Sequence, residues 1–247
     1  MRIALFADIH GNREALMACL DHASRSRIDR HLFLGDYVGY GADPVFVVET
    51  VMSYVERGAV ALLGNHDAAA LEPDPHMSDE AFTAMEWTRD QLDPVHLAFI
   101  NGLRLSSEDG GGLYVHANAY EPGAWDYVTG LYSASKSLMA THAQTTFCGH
   151  THVPMLFHMS MTGKIASFEP VDRVDIPLTA RRRWLAVIGS VGQPRDHNAA
   201  ACYAILDTTP GVLTYIRVPY DVDTAARKIR DAGLPIGLSY RLAEGCA

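Results

Sequence analysis

Short apolar runs alternate with amphipathic segments over the first 63 residues. The runs at 3–7, 31–34 and 59–63 are typical of strands that are buried on both faces. Between them, apolar residues recur at helical spacing after Asn12 and again after Asp43, which are the expected N-caps. This order of strand, helix, strand, helix and strand predicts parallel strands joined by right-handed crossovers.

The later part of the chain is richer in strands. Further strands are predicted at 103–106, 112–115, 145–148, 155–160, 164–169, 184–188, 201–206 and 213–218. Further helices are predicted at 78–89, 94–101, 133–142 and, capped by Asp223, up to Gly233. A hairpin is expected around Asp109-Gly110-Gly111. Because no Pro/Gly/Ser-rich linker and no repeat interrupts the chain, we expect one mixed α/β domain over residues 1–247. In it, two sheets pack face to face as a β-sandwich flanked by helices.

The composition is that of an ordinary globular protein, with 48% hydrophobic and 20% charged residues. The net charge of −9 lacks the basic footprint of a protein that binds duplex DNA. No window approaches 18 apolar residues, and the first apolar run is too short for the core of a signal peptide. We therefore expect a cytoplasmic protein without a membrane span. The four cysteines are far apart, which argues against a disulfide framework or a thiolate zinc site.

Polar residues of metal-binding type follow five predicted strands directly. The segments are Asp8-Ile9-His10-Gly11-Asn12, Gly35-Asp36, Gly64-Asn65-His66-Asp67, His116-Ala117-Asn118 and Gly149-His150-Thr151-His152. In open α/β sheets, sites form beyond the carboxyl ends of the strands, so we expect these side chains to meet. Carboxylate, imidazole and amide donors suit manganese, iron, zinc, cobalt or nickel and argue against copper(I) or an iron–sulfur cluster. A single such segment arises by chance, whereas five together predict a site for metal binding or proton transfer.

These five segments resemble the motifs of the calcineurin-like metallophosphoesterases over residues 8–152, about three-fifths of the chain. A weaker resemblance links Gly189–Asp196 to the small prokaryotic phosphodiesterases of that superfamily. The resemblance implies two divalent transition-metal ions, with manganese favoured and iron, zinc, nickel or cobalt as alternatives. It assigns Asp8, His10 and His152 to one ion, Asn65, His116 and His150 to the other, and Asp36 to both.

The same resemblance implies a mechanism. A hydroxide between the two ions would attack phosphorus, and His66 would protonate the leaving oxygen or stabilise its charge. Asp67 either orients His66 or points away from it, because adjacent side chains often diverge. The expected substrate is a phosphodiester, either a phosphorylated small molecule or a nucleotide. The alternatives are a phosphomonoesterase, including a protein phosphatase, and a non-catalytic scaffold that binds metal or nucleotide.

The second motif departs from that of the protein serine/threonine phosphatases, which carry Gly-Asp-x-x-Asp-Arg-Gly. Here Gly39 and Tyr40 replace the second Asp and the Arg, which weakens the phosphoprotein hypothesis. Another cation must then hold the substrate, and Arg195 is the first candidate, with a surface turn as its alternative. Tyr40, Asn12 and Asn118 are further candidates for substrate contacts, although each also has a cap or turn explanation. The walls that select the substrate are expected in residues 68–95, 118–132 and 190–198.

Overall fold

The computed structural model describes residues 1–246, which form twelve strands, eight α-helices and one short 3₁₀ turn at Pro122–Ala124. The strands are β1 (Arg2–Phe6), β2 (Arg30–Phe33), β3 (Val60–Ala61), β4 (Ser106–Asp109), β5 (Gly112–Val115), β6 (Thr145–Cys148), β7 (Met155–Ser160), β8 (Ile165–Phe168), β9 (Asp175–Pro177), β10 (Arg182–Val187), β11 (Ala201–Asp207) and β12 (Val212–Val218). The helices are α1 (Arg13–Ser24), α2 (Pro44–Glu56), α3 (Asn65–Leu71), α4 (Asp79–Gln91), α5 (Pro94–Asn101), α6 (Leu131–Met139), α7 (Val222–Asp231) and α8 (Ile236–Glu244).

The strands of the described residues form two six-stranded sheets. Sheet one has the order β3-β2-β1-β11-β12-β9, and β1, β2 and β3 are parallel, as the first part of the sequence predicts. Sheet two has the order β4-β5-β6-β10-β7-β8, with β5, β6 and β10 parallel. The predicted mixed α/β architecture of two sheets flanked by helices is confirmed. Ala247 lies outside the described residues, and the organisation of residues 1–247 as one domain stays a prediction.

The core explains why β1 is a continuous apolar run. Ile3 and Leu5 belong to a buried cluster that also contains Phe147 and Trp184 of sheet two, so this face of β1 packs between the sheets. Phe6, on the opposite face, belongs to the cluster formed with α1 and α2. Each apolar residue of β1 is therefore buried whichever face it occupies, which leaves the polar residues to begin only where the strand ends.

The hairpin formed by β4 and β5 begins later in the chain than expected. The first of its strands, β4, runs over Ser106–Asp109 instead of 103–106, and Asp109 pairs directly with Gly112. The connection is thus a two-residue turn, in which Gly110 and Gly111 have φ values of 55° and 82°. Such a turn requires positive φ at both central residues, and the strand must then extend up to Asp109.

The helices differ from prediction in several places. Helices α3 and α8 were not predicted, and α6 runs over Leu131–Met139 instead of 133–142. Helix α7 is capped by Asp221, whose side chain accepts from the backbone N–H of Thr224, instead of by Asp223. Asp43 does precede α2, but its carboxylate accepts from Lys228 Nζ at 2.8 Å and makes no cap hydrogen bond. Among residues 1–246, no helix combines the length and apolarity needed to cross a membrane.

Candidate metal centre

Side chains from the carboxyl ends of β1, β2, β5 and β6 meet at one end of the sandwich. They form two clusters, and within each cluster one donor atom per residue lies within 4.8 Å of all the others. The first cluster is Asp8, His10, Asp36 and His152, and the second cluster is Asp36, His116 and His150. Asn65, the first residue of α3, adds an amide oxygen to the second cluster, since its Oδ1 lies 3.1 Å from His116 Nε2. All seven predicted ligand residues are brought together, and Asp36 is shared.

The backbone at these strand ends is strained in a way that turns the side chains inward. Five of the seven residues have left-handed φ, which non-glycine residues seldom adopt and which costs roughly 1–3 kcal/mol each. They are Asp8 (55°), His10 (49°), Asp36 (58°), His150 (65°) and His152 (62°). Close approach also requires glycine beside them: a Cβ at Gly64 would lie 2.2 Å from Asp36 Oδ1, and one at Gly149 would lie 2.6 Å from Asp8 Oδ2.

Backbone carbonyl groups orient the imidazoles. The Nδ1 atoms of His10, His116 and His152 donate to the carbonyl oxygens of Val38, Leu34 and Gln193 at 3.0, 2.8 and 2.7 Å, respectively. A carbonyl can only accept, so Nδ1 carries a proton in each of these three imidazoles, and Nε2, the atom that faces the cluster, is the nitrogen that binds metal once it is unprotonated.

Several of these nitrogen atoms have no protein partner that suits them. His150 Nε2 is buried without a hydrogen-bond partner among residues 1–246. The Nε2 atoms of His10 and His152 lie 3.1 Å apart, so two lone pairs face each other. Cations between these atoms would satisfy them, and the set of carboxylate, imidazole and amide donors is one that divalent transition metals accept. The residues therefore fit a binuclear metal site.

Burial and mutual charge set the protonation of the centre. Burial raises the pKa of Asp8 to about 8 and lowers the pKa of His150 to about 3. Burial opposes ionisation of Asp36 as well, but the charge of His116 and of neighbouring histidines holds its pKa well below the usual range. The Asp36 carboxylate in turn raises the pKa of His116 to about 9, against the effect of burial. The metal-free centre thus holds a carboxylate–imidazolium pair, with 3.4 Å between Asp36 Oδ2 and His116 Nε2.

His66, the predicted proton-transfer residue, lies in the second position of α3 beside the first cluster. Its ring centroid is 4.8 Å from that of His10 and 4.5 Å from that of Tyr40. Its Nδ1 is buried without a hydrogen-bond partner in the part of the chain that the structure describes, which leaves Nε2 as the nitrogen available to a substrate. Burial lowers the pKa of His66, and the Asp36 charge acts in the opposite direction.

Asp67 does not orient His66, which corrects the first of the two interpretations of this residue. Its carboxylate oxygens accept from the backbone N–H groups of Asp36 (2.7 Å), Tyr37 (2.8 Å) and Gly64 (3.0 Å). These bonds fix the loop that presents Asp36 to the two clusters. Asp67 therefore acts on the metal centre through the backbone, and it is a positioning residue rather than a catalytic one.

Gly39 explains why His66 has no carboxylate partner from the second motif. Gly39 has a φ of 83°, and a Cβ at this position would lie 2.4 Å from His66 Nδ1. An Asp at position 39, as in the protein phosphatases, would therefore collide with His66 where it stands. In this chain the ring is held by packing against Tyr40 and His10 instead.

Arg195 and Tyr40 lie beside the metal centre, as the interpretation of both as substrate contacts requires. Arg195 donates to Gln193 Oε1 at 3.0 Å and to the Tyr40 hydroxyl at 3.4 Å, and its Nε is buried without a partner among residues 1–246. The guanidinium is thus held by two neighbours in the lining of a cleft.

Asn12 caps α1 as predicted and Asn118 holds a turn, so the interpretation of these two side chains as substrate contacts is corrected. Asn12 Oδ1 accepts from the Ala15 N–H at 3.0 Å as the cap of α1, and its amide donates to Gly192 O at 2.9 Å. Asn118 Oδ1 accepts from the Tyr120 N–H at 2.9 Å, and its amide donates to Ser133 O at 3.4 Å. Both side chains are almost fully buried, so they shape loops and do not face a substrate.

An open cleft of about 640 Å³ leads to the centre. Besides Asn65, His66 and His150, its lining includes Tyr40, Asp74, His76, Trp125, Tyr127, Arg195 and Arg241. All three segments expected to form the walls contribute. Arg241 was missed because α8 was missed, although the spacing of Leu238 and Leu242 before Gly245 is a helical signal with a glycine C-cap.

The chain matches known proteins along its length. A family model described as calcineurin-like phosphoesterase matches residues 1–154. The chain belongs to this family. It is 32% identical to an uncharacterized protein of Methanocaldococcus jannaschii over 98% of both chains. A solved metallophosphoesterase from Sphaerobacter thermophilus is 33% identical, with a TM-score of 0.88 over 99% of both chains. A hypothetical protein of Pyrococcus horikoshii shares the fold at 19% identity, with a TM-score of 0.79 over 100% of this chain and 99% of that one.

Family membership and the geometry agree. The match to the calcineurin-like phosphoesterases covers the segments that carry all seven predicted ligands, and these Asp and His side chains are positioned for a binuclear metal site. The protein is therefore a metal-dependent phosphoesterase.

Proposed function

We propose that this phosphoesterase hydrolyses phosphodiesters with two divalent transition-metal ions, of which manganese is favoured. The observation that carries the proposal is the pair of donor clusters that share Asp36 at the floor of an open cleft, with His66 in the cleft wall. Asp8, His10 and His152 would hold one ion, and Asn65, His116 and His150 the other. When bound, the two ions would supply positive charge for the phosphoryl oxygens and lower the pKa of an attacking water.

The chain's own residues account for the remaining requirements. Arg195 lies in the cleft lining and would donate to a phosphoryl oxygen, with Tyr40 holding the guanidinium. His66 would place a proton from Nε2 on the leaving oxygen, because Nδ1 is buried against Gly39. The second motif's loop would keep Asp36 in place through its bonds to Asp67.

The walls favour a diester over a monoester. A monoester dianion carries one more charged oxygen than a diester, and the second motif lacks the arginine that would clamp it. Its place is taken by Tyr40, whose ring contacts His66 and His10. A diester needs space for a second substituent on phosphorus, and the open cleft of about 640 Å³, lined by side chains from residues 74–81 and 124–127, would provide it. Since the net charge is −9, we expect a small phosphorylated molecule or a nucleotide and not duplex DNA.

The test is turnover by the manganese-loaded protein on bis-p-nitrophenyl phosphate and on p-nitrophenyl phosphate, each with and without chelator. We expect cleavage of both to be lost with chelator, and kcat/KM for the diester to exceed that for the monoester by about tenfold or more. Cleavage of the monoester alone would replace the proposal with a phosphomonoesterase. No cleavage of either by protein with two bound ions would favour a binding scaffold.

A further inference from the structure

Two aromatic side chains form a wall of the cleft that the proposed chemistry does not use. This aromatic wall consists of Trp125 and Tyr127, and both line the cleft beside the second cluster. The Tyr127 ring stacks on His150 at 4.0 Å between centroids and 21° between planes. The Trp125 ring lies edge-on to His116 at 5.8 Å. Tyr127 is 51% exposed, so a large aromatic surface stays open to the cleft next to a predicted metal ligand.

The segment that carries the aromatic wall is anchored at both ends. Asn118 holds its beginning, through the bonds to Tyr120 and Ser133 described above. At its end, Val128 is buried and its carbonyl accepts from the Thr151 hydroxyl at 3.4 Å. Trp125 has a left-handed φ of 57°, and its ring lies against His116. The wall is therefore held in one position relative to the metal centre rather than being a loose surface loop.

The position of the wall decides which part of a substrate it would meet. His66 lies beside the first cluster and packs on His10 and Tyr40, whereas the aromatic wall packs on His150 and His116 of the second cluster. The leaving group of a diester must lie next to the proton donor. The substituent that stays on phosphorus is therefore the one that reaches the aromatic wall.

From this arrangement we propose that Tyr127 and Trp125 stack on the base of a nucleoside that stays attached to the phosphate, so that the substrates are nucleotidic diesters. This rests on the proposed function. In proteins that bind single-stranded nucleic acids, aromatic side chains stack on bases with little dependence on which base is present. In the reaction, the oxygen of water bonds to phosphorus, the bond between phosphorus and the leaving oxygen breaks, and that oxygen gains a proton. The products are a nucleoside monophosphate and a free alcohol or phenol.

The test compares two diesters with the same leaving group, thymidine 5′-(p-nitrophenyl phosphate) and methyl p-nitrophenyl phosphate. For the manganese-loaded wild type we expect kcat/KM to be about tenfold or more higher for the nucleoside ester, a ratio within the range of base stacking. Tyr127→Leu and Trp125→Leu should bring the ratio toward one, and Tyr127→Phe should keep it. Tyr132→Leu is the matched control, because Tyr132 is 81% exposed on α6 and does not line the cleft. Any damage that Tyr127→Leu does to His150 affects both esters and cancels in the ratio.

A binding measurement separates this inference from the proposed function. Calorimetric titration of the manganese-loaded protein with adenosine 5′-monophosphate and with ribose 5-phosphate should show about tenfold tighter binding of the nucleotide, lost in Tyr127→Leu. Cleavage of both esters at equal rates, or a ratio unchanged in Tyr127→Leu and Trp125→Leu, would overturn the aromatic wall as a base site. Failure to cleave either ester would overturn the diester function instead. The ratio of the affinities for adenosine 5′-monophosphate and ribose 5-phosphate would then show whether the aromatic wall binds a base.

Discussion

Sheet one and sheet two both send side chains to the metal centre, but the side chains differ in kind. Sheet one, with α3 at its edge, provides Asp8, His10, Asp36, Asn65 and His66. Sheet two provides His116, His150 and His152. Both carboxylates and the proposed proton-transfer residue thus come from one sheet, whereas the other provides only imidazoles.

Neither cluster can be built from one sheet alone. The first cluster takes His152 from sheet two, and the second cluster takes Asp36 from sheet one. The connection is reinforced by the backbone, because the His150 N–H donates to both oxygens of Asp8 at 3.0 and 2.9 Å. Sheet one therefore supplies the negative charge of the centre, and sheet two adds donors that are neutral or positively charged.

The largest expected effect comes from Asp36→Asn in sheet one. Because Asp36 belongs to both clusters, the variant should bind neither ion fully, and kcat/KM should fall by more than about 10³-fold, since bound metals contribute several kcal/mol to the transition state. His150→Ala in sheet two should affect the second cluster alone. Metal analysis by mass spectrometry checks both, with Asp231→Asn as a control, because Asp231 is exposed at the end of α7 and does not line the cleft. Two ions at full occupancy in Asp36→Asn would contradict the shared role.

The sequence predicts the ligand residues of this site better than the residues of the cleft walls, because the two groups stand at different places in the chain. The ligands come directly after buried apolar runs, and that position is visible in the sequence because β1 and its neighbours have no exposed face. The aromatic wall and Arg241 come from loops and from α8, whose approach to the cleft depends on packing between distant segments. For Asn12 and Asn118 the sequence leaves a cap or turn and a substrate contact both open, because proximity to a motif does not show which backbone groups a side chain already satisfies. Asp67 adjoins His66 in sequence yet bonds to the loop after β2.

His66→Asn should remove proton transfer while leaving the donors of both clusters intact, and so separates the proposed acid from the metal ligands. We expect kcat for the diester to fall by about 10²- to 10³-fold, within the usual range for a general acid or base, at unchanged metal content. Steady-state kinetics and metal analysis on the same preparations test this. His142→Asn serves as the control, because His142 is exposed on the surface. Wild-type rates in His66→Asn would show that another group handles the proton.

The proton on His116 predicts how metal affinity depends on pH. The pKa of His116 is raised to about 9, so the metal-free imidazole is protonated at neutral pH and must release that proton to bind metal. Affinity should therefore fall as pH falls below about 9, by about tenfold per unit for one released proton, and by more below about 8, where Asp8 also holds a proton. Titration calorimetry with Mn²⁺ at pH 6.5, 7.5 and 8.5 measures this. Affinity independent of pH would contradict the carboxylate–imidazolium pair.

The smallest effect is expected from Gly39→Ala. Comparing it with Gly58→Ala separates the effect of backbone strain from that of displacing His66. Gly39→Ala and Gly58→Ala both put a Cβ at positive φ, 83° and 95°, respectively, so both should lower the free energy of unfolding by about 1 kcal/mol or more. Only the Cβ at 39 meets His66, since nothing lies within 4 Å of one at 58. Gly39→Ala alone should therefore lower kcat, by about tenfold, through the displaced proton donor. Denaturant unfolding and diester kinetics are measured on both variants. If backbone strain alone were at work, Gly39→Ala and Gly58→Ala would show the same kcat as well as a similar loss of stability.

The strand order has a consequence for the time course of synthesis. All seven ligand residues precede residue 153, but β1 is flanked by β11 and β6 by β10, and these two strands begin at Ala201 and Arg182. At a typical rate of about 5–20 residues per second, the ribosome makes the ligands several seconds before their neighbouring strands are available. During that interval the nascent chain carries a set of metal-binding side chains without the scaffold that selects their geometry. Metal insertion into the finished site must therefore follow the arrival of the last third of the polypeptide.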